Sequence, residues 1–295
     1  MKILLRLPEA MKLAYETISP LGGKDYNLSP VLLLHGMLDS RKTWKYVASK
    51  LANNTGRKVY AIDARNHGDS PWDDRFDFDV LADDLDEFMD QQCISKAILI
   101  GHSMGGRTAL TLALKKPENV EKLIVEDMTP RNFTPRSSRL IVQLINVLRS
   151  SLEVIPQGVD ETTAKKTIVQ FIKDLLPEEN IPSSKGEFDL EMIPLKKDGE
   201  NYLWKANLDV IEDMLTTDKI LQNLSGTYTG KALFLYGTKS FFKVEKDERI
   251  PQFFPQSTKL GFEGANHLIH HEFPKQFVAE VSKFITGRVN PQSKY

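Results

Sequence analysis

The amino-acid sequence predicts an α/β protein with a mostly parallel sheet, flanked by helices and interrupted by a helical cap insertion. Short apolar runs alternate with segments of helical periodicity up to residue 128, which is the order of successive βαβ units. The alternation then stops for about a hundred residues, and strand patterns resume at residue 231. We therefore expect an α/β core at residues 1–128 and 226–295, with a mostly helical cap at 129–225.

The predicted core strands are short apolar runs that end in polar or glycine-containing turns. Such runs are typical of parallel strands that are buried on both faces. They lie at residues 30–34, 58–62, 97–100, 122–126, 231–236 and 258–262. Apolar residues at helical spacing predict the flanking helices at 43–53, 78–89, 104–116 and 274–286.

The segment 129–225 lacks clear strand patterns and is rich in helical periodicity. Apolar residues recur at helical spacing between Leu140 and Leu148. Four prolines separate the helical patterns: Pro156, Pro177, Pro182 and Pro194. We interpret the apolar stripe as packing over the active site, and contact with a membrane surface is the alternative.

Composition and charge exclude several classes of function. The 295 residues are 41% hydrophobic and carry a formal net charge of -1, so no overall field would gather nucleic acid or an anionic membrane. No stretch is long enough to span a bilayer, and the apolar run at residues 1–7 is too short for a signal peptide. A cleaved presequence would leave no trace in this sequence. We expect a small-molecule ester or lipid substrate and no nucleic acid, and no protein partner is identified.

No cofactor or metal is predicted. Cys93 is the single cysteine, which excludes an internal disulfide and a cysteine-based zinc site and fits a reducing compartment. We expect Cys93 to be a small buried residue. The pair His267 and His271 lacks the accompanying carboxylates or cysteines that a metal site would need.

A serine nucleophile is predicted at Ser103, in a Gly-x-Ser-x-Gly motif at residues 101–105. A serine hydroxyl must be exposed, have a base nearby, and meet donors for the oxyanion that forms on attack. The motif lies between an apolar strand and a helix, and its glycines remove side chains that would block the sharp turn. The Met104 N–H is the first expected oxyanion donor. The Met37 N–H, in the loop after the first buried strand, is the second.

His267 is the expected base and Asp127 the expected acid. His267 lies between the last strand and the closing helix, in a loop that should return to the sheet edge where Ser103 lies. The loop directly after Tyr236 holds no carboxylate, whereas Asp127 follows the strand expected next to the serine strand. Asp209, in the predicted cap, is the alternative acid, and it could instead cap a helix.

Four motifs resemble those of the α/β-hydrolase superfamily, and most specifically its α/β-hydrolase domain-containing protein 11 subfamily. They are HGMLDS at residues 35–40, DARNHGDSP at 63–71, GHSMGG at 101–106 and NLD at 207–209. Bacterial esterases and yeast ethanol acetyltransferases share this pattern. The resemblance extends over nearly the whole chain and implies the α/β-hydrolase fold with a triad of Ser103, Asp127 and His267. It also implies esterase or lipase activity, including on diacylglycerols, and a mitochondrial location for eukaryotic members.

The predicted reaction is hydrolysis of a carboxylic ester through an acyl-enzyme. Ser103 attacks, His267 acts as general base, and the amides of Met37 and Met104 hold the oxyanion. Two other functions stay open: transfer of the acyl group to an alcohol, and binding of a partner with only secondary hydrolase activity. A cytoplasmic location is the alternative to a mitochondrial one.

Overall fold

The computed structural model describes residues 10–23, 27–175 and 189–288. The strands in this part of the chain are labelled in chain order as β1 (Tyr15–Ile18), β2 (Val31–Leu34), β3 (Val59–Ile62), β4 (Ala97–His102), β5 (Val120–Glu126), β6 (Leu195–Asp198), β7 (Asn201–Trp204), β8 (Lys231–Gly237) and β9 (Ser257–Phe262). The α-helices are α1 (Ala48–Thr55), α2 (Phe78–Gln91), α3 (Met104–Lys115), α4 (Pro135–Glu153), α5 (Glu161–Leu175), α6 (Leu208–Thr216), α7 (Ile250–Phe253), α8 (Ile269–Glu272) and α9 (Pro274–Thr286).

Seven strands form the main sheet, in the spatial order β1-β3-β2-β4-β5-β8-β9. β1 pairs antiparallel with β3, and the other neighbours in the sheet are parallel. β4 lies in the middle, between β2 and β5. Because parallel strands end at one edge, the residues that follow β2, β4, β5, β8 and β9 meet there. This architecture confirms the predicted α/β fold with its mostly parallel sheet.

The core lies on both faces of this sheet. Leu32 and Leu99 pack on one face in a cluster with residues of α2 and α3. Their chain neighbours Leu33 and Ile100 pack on the other face with residues of α1 and α9. Adjacent side chains of a strand point to opposite faces, so burial of both faces requires the uninterrupted apolar runs that the sequence contains.

A third apolar cluster connects the core to the segment 129–225. Met104, at the start of α3, belongs to it together with Ile145 of α4 and Ile211 of α6. The elements after β5 therefore pack over the carboxyl edge of the sheet, near the start of the helix that follows β4. The division into a core at 1–128 and 226–295 and a cap at 129–225 stays a prediction.

The structure differs from the sequence prediction in four places. β1 and the antiparallel hairpin of β6 and β7 were not predicted. The helix expected from residue 43 is divided into a 3-10 turn at Arg41–Trp44 and the later α1. Cys93 is exposed rather than buried, so its expected role as a small core residue is wrong. Its positive φ of 54° puts it in a turn after α2 instead of in the packed interior.

Some predictions fall outside the described residues, namely those on the apolar run at residues 1–7 and on the prolines Pro177 and Pro182. Within the described residues, no helix combines the length and the apolar character that crossing a bilayer would need.

Candidate active site

Ser103 occupies a sharp turn between β4 and α3. Its backbone angles are φ 51° and ψ −114°, in a region that residues with a side chain adopt only under strain. The flanking glycines allow the turn, because a Cβ on Gly101 would lie 2.2 Å from the Gly105 carbonyl oxygen. A Cβ on Gly105 would lie 2.3 Å from the Leu34 carbonyl oxygen, in the neighbouring strand. The two glycines thus let α3 start directly against β2 and β4.

Asp127 and His267 are in direct contact although they are 140 residues apart. The Nδ1–H of His267 donates to Asp127 Oδ2 at 2.6 Å, which leaves Nε2 of the imidazole free to accept a proton. The Asp127 side chain is fully buried, whereas that of His267 is 29% exposed. The carboxylate also accepts from the Ser240 hydroxyl at 2.5 Å and from the Gly237 N–H at 3.3 Å. These bonds hold the buried carboxylate in place, and the carboxylate in turn orients the imidazole.

His102 connects the serine turn to the histidine loop. Its Nε2–H donates to the His267 carbonyl oxygen at 3.0 Å, and the two imidazole rings lie 4.5 Å apart between centroids. Burial holds the pKa of His102 well below its ordinary value, so the ring is neutral. No hydrogen bond joins the Ser103 hydroxyl to His267, both of which the structure describes. Catalytic hydrogen bonds are often long before substrate binds and tighten in the complex.

The loop after β2 approaches the serine turn closely. A Cβ on Gly36 would lie 2.7 Å from His102 Nδ1 and 3.5 Å from Ser103 Cβ, so only glycine allows this approach. Within the described residues, the amides of Met37 and Met104 donate no hydrogen bond. Both are therefore available as donors to an oxyanion.

Two buried histidines hold that loop in place. His35 Nε2 accepts from the Ala64 N–H at 3.0 Å, and its Nδ1–H donates to the Gly36 carbonyl at 2.7 Å. His67 Nε2 accepts from the Leu38 N–H at 3.2 Å. Burial lowers the pKa of His67 to about 3, which keeps its ring neutral and able to accept. The motif at residues 63–71 thus braces the loop that carries Met37.

A second acid and histidine pair lies directly beside the first. Glu126 Oε1 accepts from the backbone N–H of His270 at 2.9 Å and lies 2.8 Å from its Nδ1. Both side chains are fully buried. His270 Nε2 contacts the Thr43 hydroxyl at 2.9 Å, and the Trp44 ring stacks on the imidazole at 4.3 Å. The residue before Asp127 therefore anchors the loop that carries His267.

The protonation of this second pair follows from its burial. Desolvation raises the pKa of Glu126 to about 8 and lowers the pKa of His270 to about 3. Near pH 7 the two groups are therefore both neutral. The sequence alone assigned no role to Glu126 or Ser240, and it placed His270 at the surface or in support of the site without naming its partner. A charged residue at the end of an apolar strand, as in Val-Glu-Asp at 125–127, is a signal that could have indicated Glu126.

Asp209, the alternative acid, has none of its described contacts with this cluster. It lies in the first turn of α6, with its side chain 89% exposed, and pairs with Arg149 at 2.6 Å. The helix is preceded by Asn207, whose N–H donates to the Asn66 carbonyl at 2.8 Å. Asn207 thus ties α6 to the loop at 63–71, while Asp209 faces solvent.

The described residues contain no group of three or more histidine, cysteine, aspartate or glutamate side chains that could hold a metal ion. The polar groups at the sheet edge are instead paired with one another, as the contacts of Asp127 and Glu126 illustrate.

Known proteins resemble this chain over most of its length. The profile of the alpha/beta hydrolase fold family matches residues 29–274. The Mus musculus protein named sn-1-specific diacylglycerol lipase ABHD11 is 30% identical over 262 residues, which cover 88% of this chain and 82% of that protein. Ethanol acetyltransferase 1 of Wickerhamomyces anomalus is 27% identical over 302 residues, covering 95% and 76%. The solved structure of a marine microorganism esterase has a TM-score of 0.73 at 27% identity, covering 93% and 99%.

Proposed function

Since the chain belongs to the α/β-hydrolase family, we propose that it is a serine esterase or lipase that cleaves carboxylic esters. The contact of 2.6 Å between Asp127 and His267 carries this proposal. A buried carboxylate on Nδ1 selects the tautomer in which Nε2 accepts a proton, which is what a general base for serine requires. The strained turn at Ser103 is the feature expected of a nucleophile between a strand and a helix.

The proposed reaction has two halves. The Ser103 hydroxyl attacks the ester carbonyl while His267 Nε2 takes its proton, and the Met37 and Met104 amides stabilise the oxyanion. The imidazolium then gives that proton to the leaving alcohol, which leaves an acyl-serine. Water attacks the acyl-serine with His267 again as base, and the acid product leaves. Asp127 stays ionised throughout and stabilises the imidazolium.

We propose acylglycerols as one group of substrates, because a relative that is 30% identical carries the name of a diacylglycerol lipase. The mitochondrial location that the family resemblance implies is likewise a proposal. Fractionation of cells that express the full-length protein tests it, and recovery in the cytosolic fraction would overturn it.

Replacement of Ser103 by alanine tests the nucleophile. We expect Ser103→Ala to lose roughly 10⁶-fold in kcat on 4-nitrophenyl esters of graded chain length, and to lose labelling by a fluorophosphonate. Ser95→Ala is a matched control, since Ser95 is exposed and lies before β4. Full activity or full labelling of Ser103→Ala would refute the proposal. Absence of labelling in the wild-type protein would favour the alternative of a partner-binding protein.

Transfer of the acyl group to an alcohol is the second candidate. The similarity to an ethanol acetyltransferase supports it, and both reactions pass through the same acyl-serine. Hydrolysis and transfer are separated by the ratio of free acid to ethyl ester formed when ethanol is added. A product that stays mainly free acid at high ethanol concentration would favour the hydrolase.

A further inference from the structure

A cavity of about 390 Å³ is lined by residues that neighbour Asp127 in the chain and His267 in space. One wall is the segment from Met128 to Leu140, which begins directly after Asp127, and the other is the segment 241–243 after β8. The ring of Phe242 in this second wall stacks on the His267 imidazole at 4.7 Å. The cavity has the volume of a small-molecule site, and one of its lining residues contacts the proposed base.

The cavity combines apolar and cationic side chains. Its apolar lining comes from Met128, Phe133, Leu140, Phe241 and Phe242. Its described lining residues also include three cations and no acid, and the cations are Arg131, Arg136 and Lys243. We call this cavity the cationic pocket. The formal net charge of the whole chain is -1, so the positive charge at the pocket is a local feature.

Few described carboxylates balance the three cations of the cationic pocket. Asp247 is buried and lies 3.6 Å from a guanidinium nitrogen of Arg131, and it is shared with Arg249 at the same distance. Arg136 and Lys243 are exposed and form no ion pair with any residue in the described ranges. One carboxylate therefore faces two guanidinium groups, while two further cations are unpaired.

A buried cation behind the wall adds to this charge. Arg107 of α3 is 1% exposed and donates to the carbonyl oxygens of Thr129 at 3.1 Å and Arg131 at 3.2 Å. It also donates to Asn132 Oδ1 at 3.1 Å. Burial lowers the pKa of Arg107 to about 10, so it stays charged at neutral pH. Its hydrogen-bond partners are neutral, and no described carboxylate lies within ion-pair distance of it.

We propose that the cationic pocket binds a carboxylate or phosphate group of the ester, so that the preferred substrate carries a negative charge next to an apolar chain. Guanidinium and ammonium groups bind such anions through charge-assisted hydrogen bonds. The apolar lining accommodates the chain that joins the anion to the reacting ester. This inference rests on the proposed esterase function and adds the class of substrate.

Two pairs of matched esters test the proposal. 4-Nitrophenyl hexanoate and the mono-4-nitrophenyl ester of adipic acid differ by a carboxylate on the acyl part. Dioctanoylglycerol and its phosphate differ by a charge on the alcohol part. We expect the double variant R136Q and K243Q to lower kcat/KM for the anionic member of at least one pair by about tenfold. The neutral members should change by less than about twofold.

The double variant K50Q and K96Q is the matched control, because it removes two exposed lysines that do not line the cationic pocket. It should leave all four rates unchanged. Added salt should reduce the preference for the anionic ester in the wild-type protein. Equal responses of anionic and neutral esters to R136Q and K243Q in both pairs would overturn the proposal.

A different set of results is expected if the proposed esterase function is wrong. In that case the wild-type protein would cleave none of the four esters and would resist fluorophosphonate labelling. The pocket is then tested by calorimetry on Ser103→Ala with adipate and hexanoate, which differ by one carboxylate. Tighter binding of adipate that R136Q and K243Q abolish would support the pocket, and equal binding of the two acids would overturn it.

Discussion

Two neighbouring carboxylates at the end of β5 pair with two histidines of the connection between β9 and α9, and their surroundings differ. Asp127 contacts His267, whose imidazole is partly exposed at the proposed site, whereas Glu126 contacts His270 where both side chains are fully buried. Burial makes the inner pair neutral, while the outer pair has an imidazole face open to substrate. The same two groups, a carboxyl group and an imidazole, therefore serve a proposed chemical role in one pair and an anchoring role in the other.

Among changes to these two pairs, replacement of Asp127 by asparagine should give the largest effect and affect activity alone. The Asp127→Asn change would leave the shape of the site intact but remove the acceptor that selects the Nδ1–H tautomer of His267, and kcat should fall roughly 10⁴-fold. The melting temperature should stay within a few degrees of the wild-type value. A loss of kcat under tenfold would mean that another residue acts as the acid, and Asp209→Asn is the matched variant for that case.

Replacement of Glu126 by alanine should affect stability first. It leaves two buried polar groups of His270, the backbone N–H and Nδ1, without their partner and should lower the free energy of unfolding by about 3 kcal/mol in urea titrations. Glu126→Gln keeps an acceptor at the same place and should lose less than about 1.5 kcal/mol. If Glu126→Gln instead lost as much kcat as Asp127→Asn, the distinction between the two pairs would be wrong.

The neutral inner pair also predicts a pH dependence of stability. The folded-state pKa of Glu126 is raised to about 8 from an ordinary 4.5, so the folded protein keeps a proton that the unfolded chain releases between these values. The stability of the wild-type protein should therefore fall relative to Glu126→Gln as pH rises from 4.5 to 8. The titration of His270 occurs in both proteins and largely cancels. Urea titrations at pH 5 and pH 8 measure the change, and a constant difference would contradict the neutral pair.

Local patterns of the sequence were sufficient for the central strands and the serine turn. The apolar runs that predict β2 to β5 are required by burial on both faces of the sheet. β1 was not predicted because it is a four-residue edge strand that is mostly exposed. The hairpin of β6 and β7 was not predicted because each strand has only four residues and β6 buries only one of them. A short exposed strand has no buried face to impose a pattern on its sequence.

Local sequence patterns predicted the proposed site only in part. Ser103, Asp127 and His267 each follow a recognisable strand, so chain order and the parallel sheet predicted their common edge. The pairing of Glu126 with His270 joins residues 144 positions apart, and no local pattern encodes such a contact. Ser240 was missed for a related reason, since its role depends on where the Asp127 carboxylate lies.

Ser103 and Asp127 share one further property, a positive φ of 51° and 49°. Glycine adopts this backbone region without strain, whereas other residues lose on the order of 1–3 kcal/mol there. At Ser103 and Asp127 the protein therefore holds a side chain in a backbone region that favours glycine, and both side chains belong to the proposed site. The chemistry of the proposed site thus has a cost in folding stability, located in the backbone of two turns.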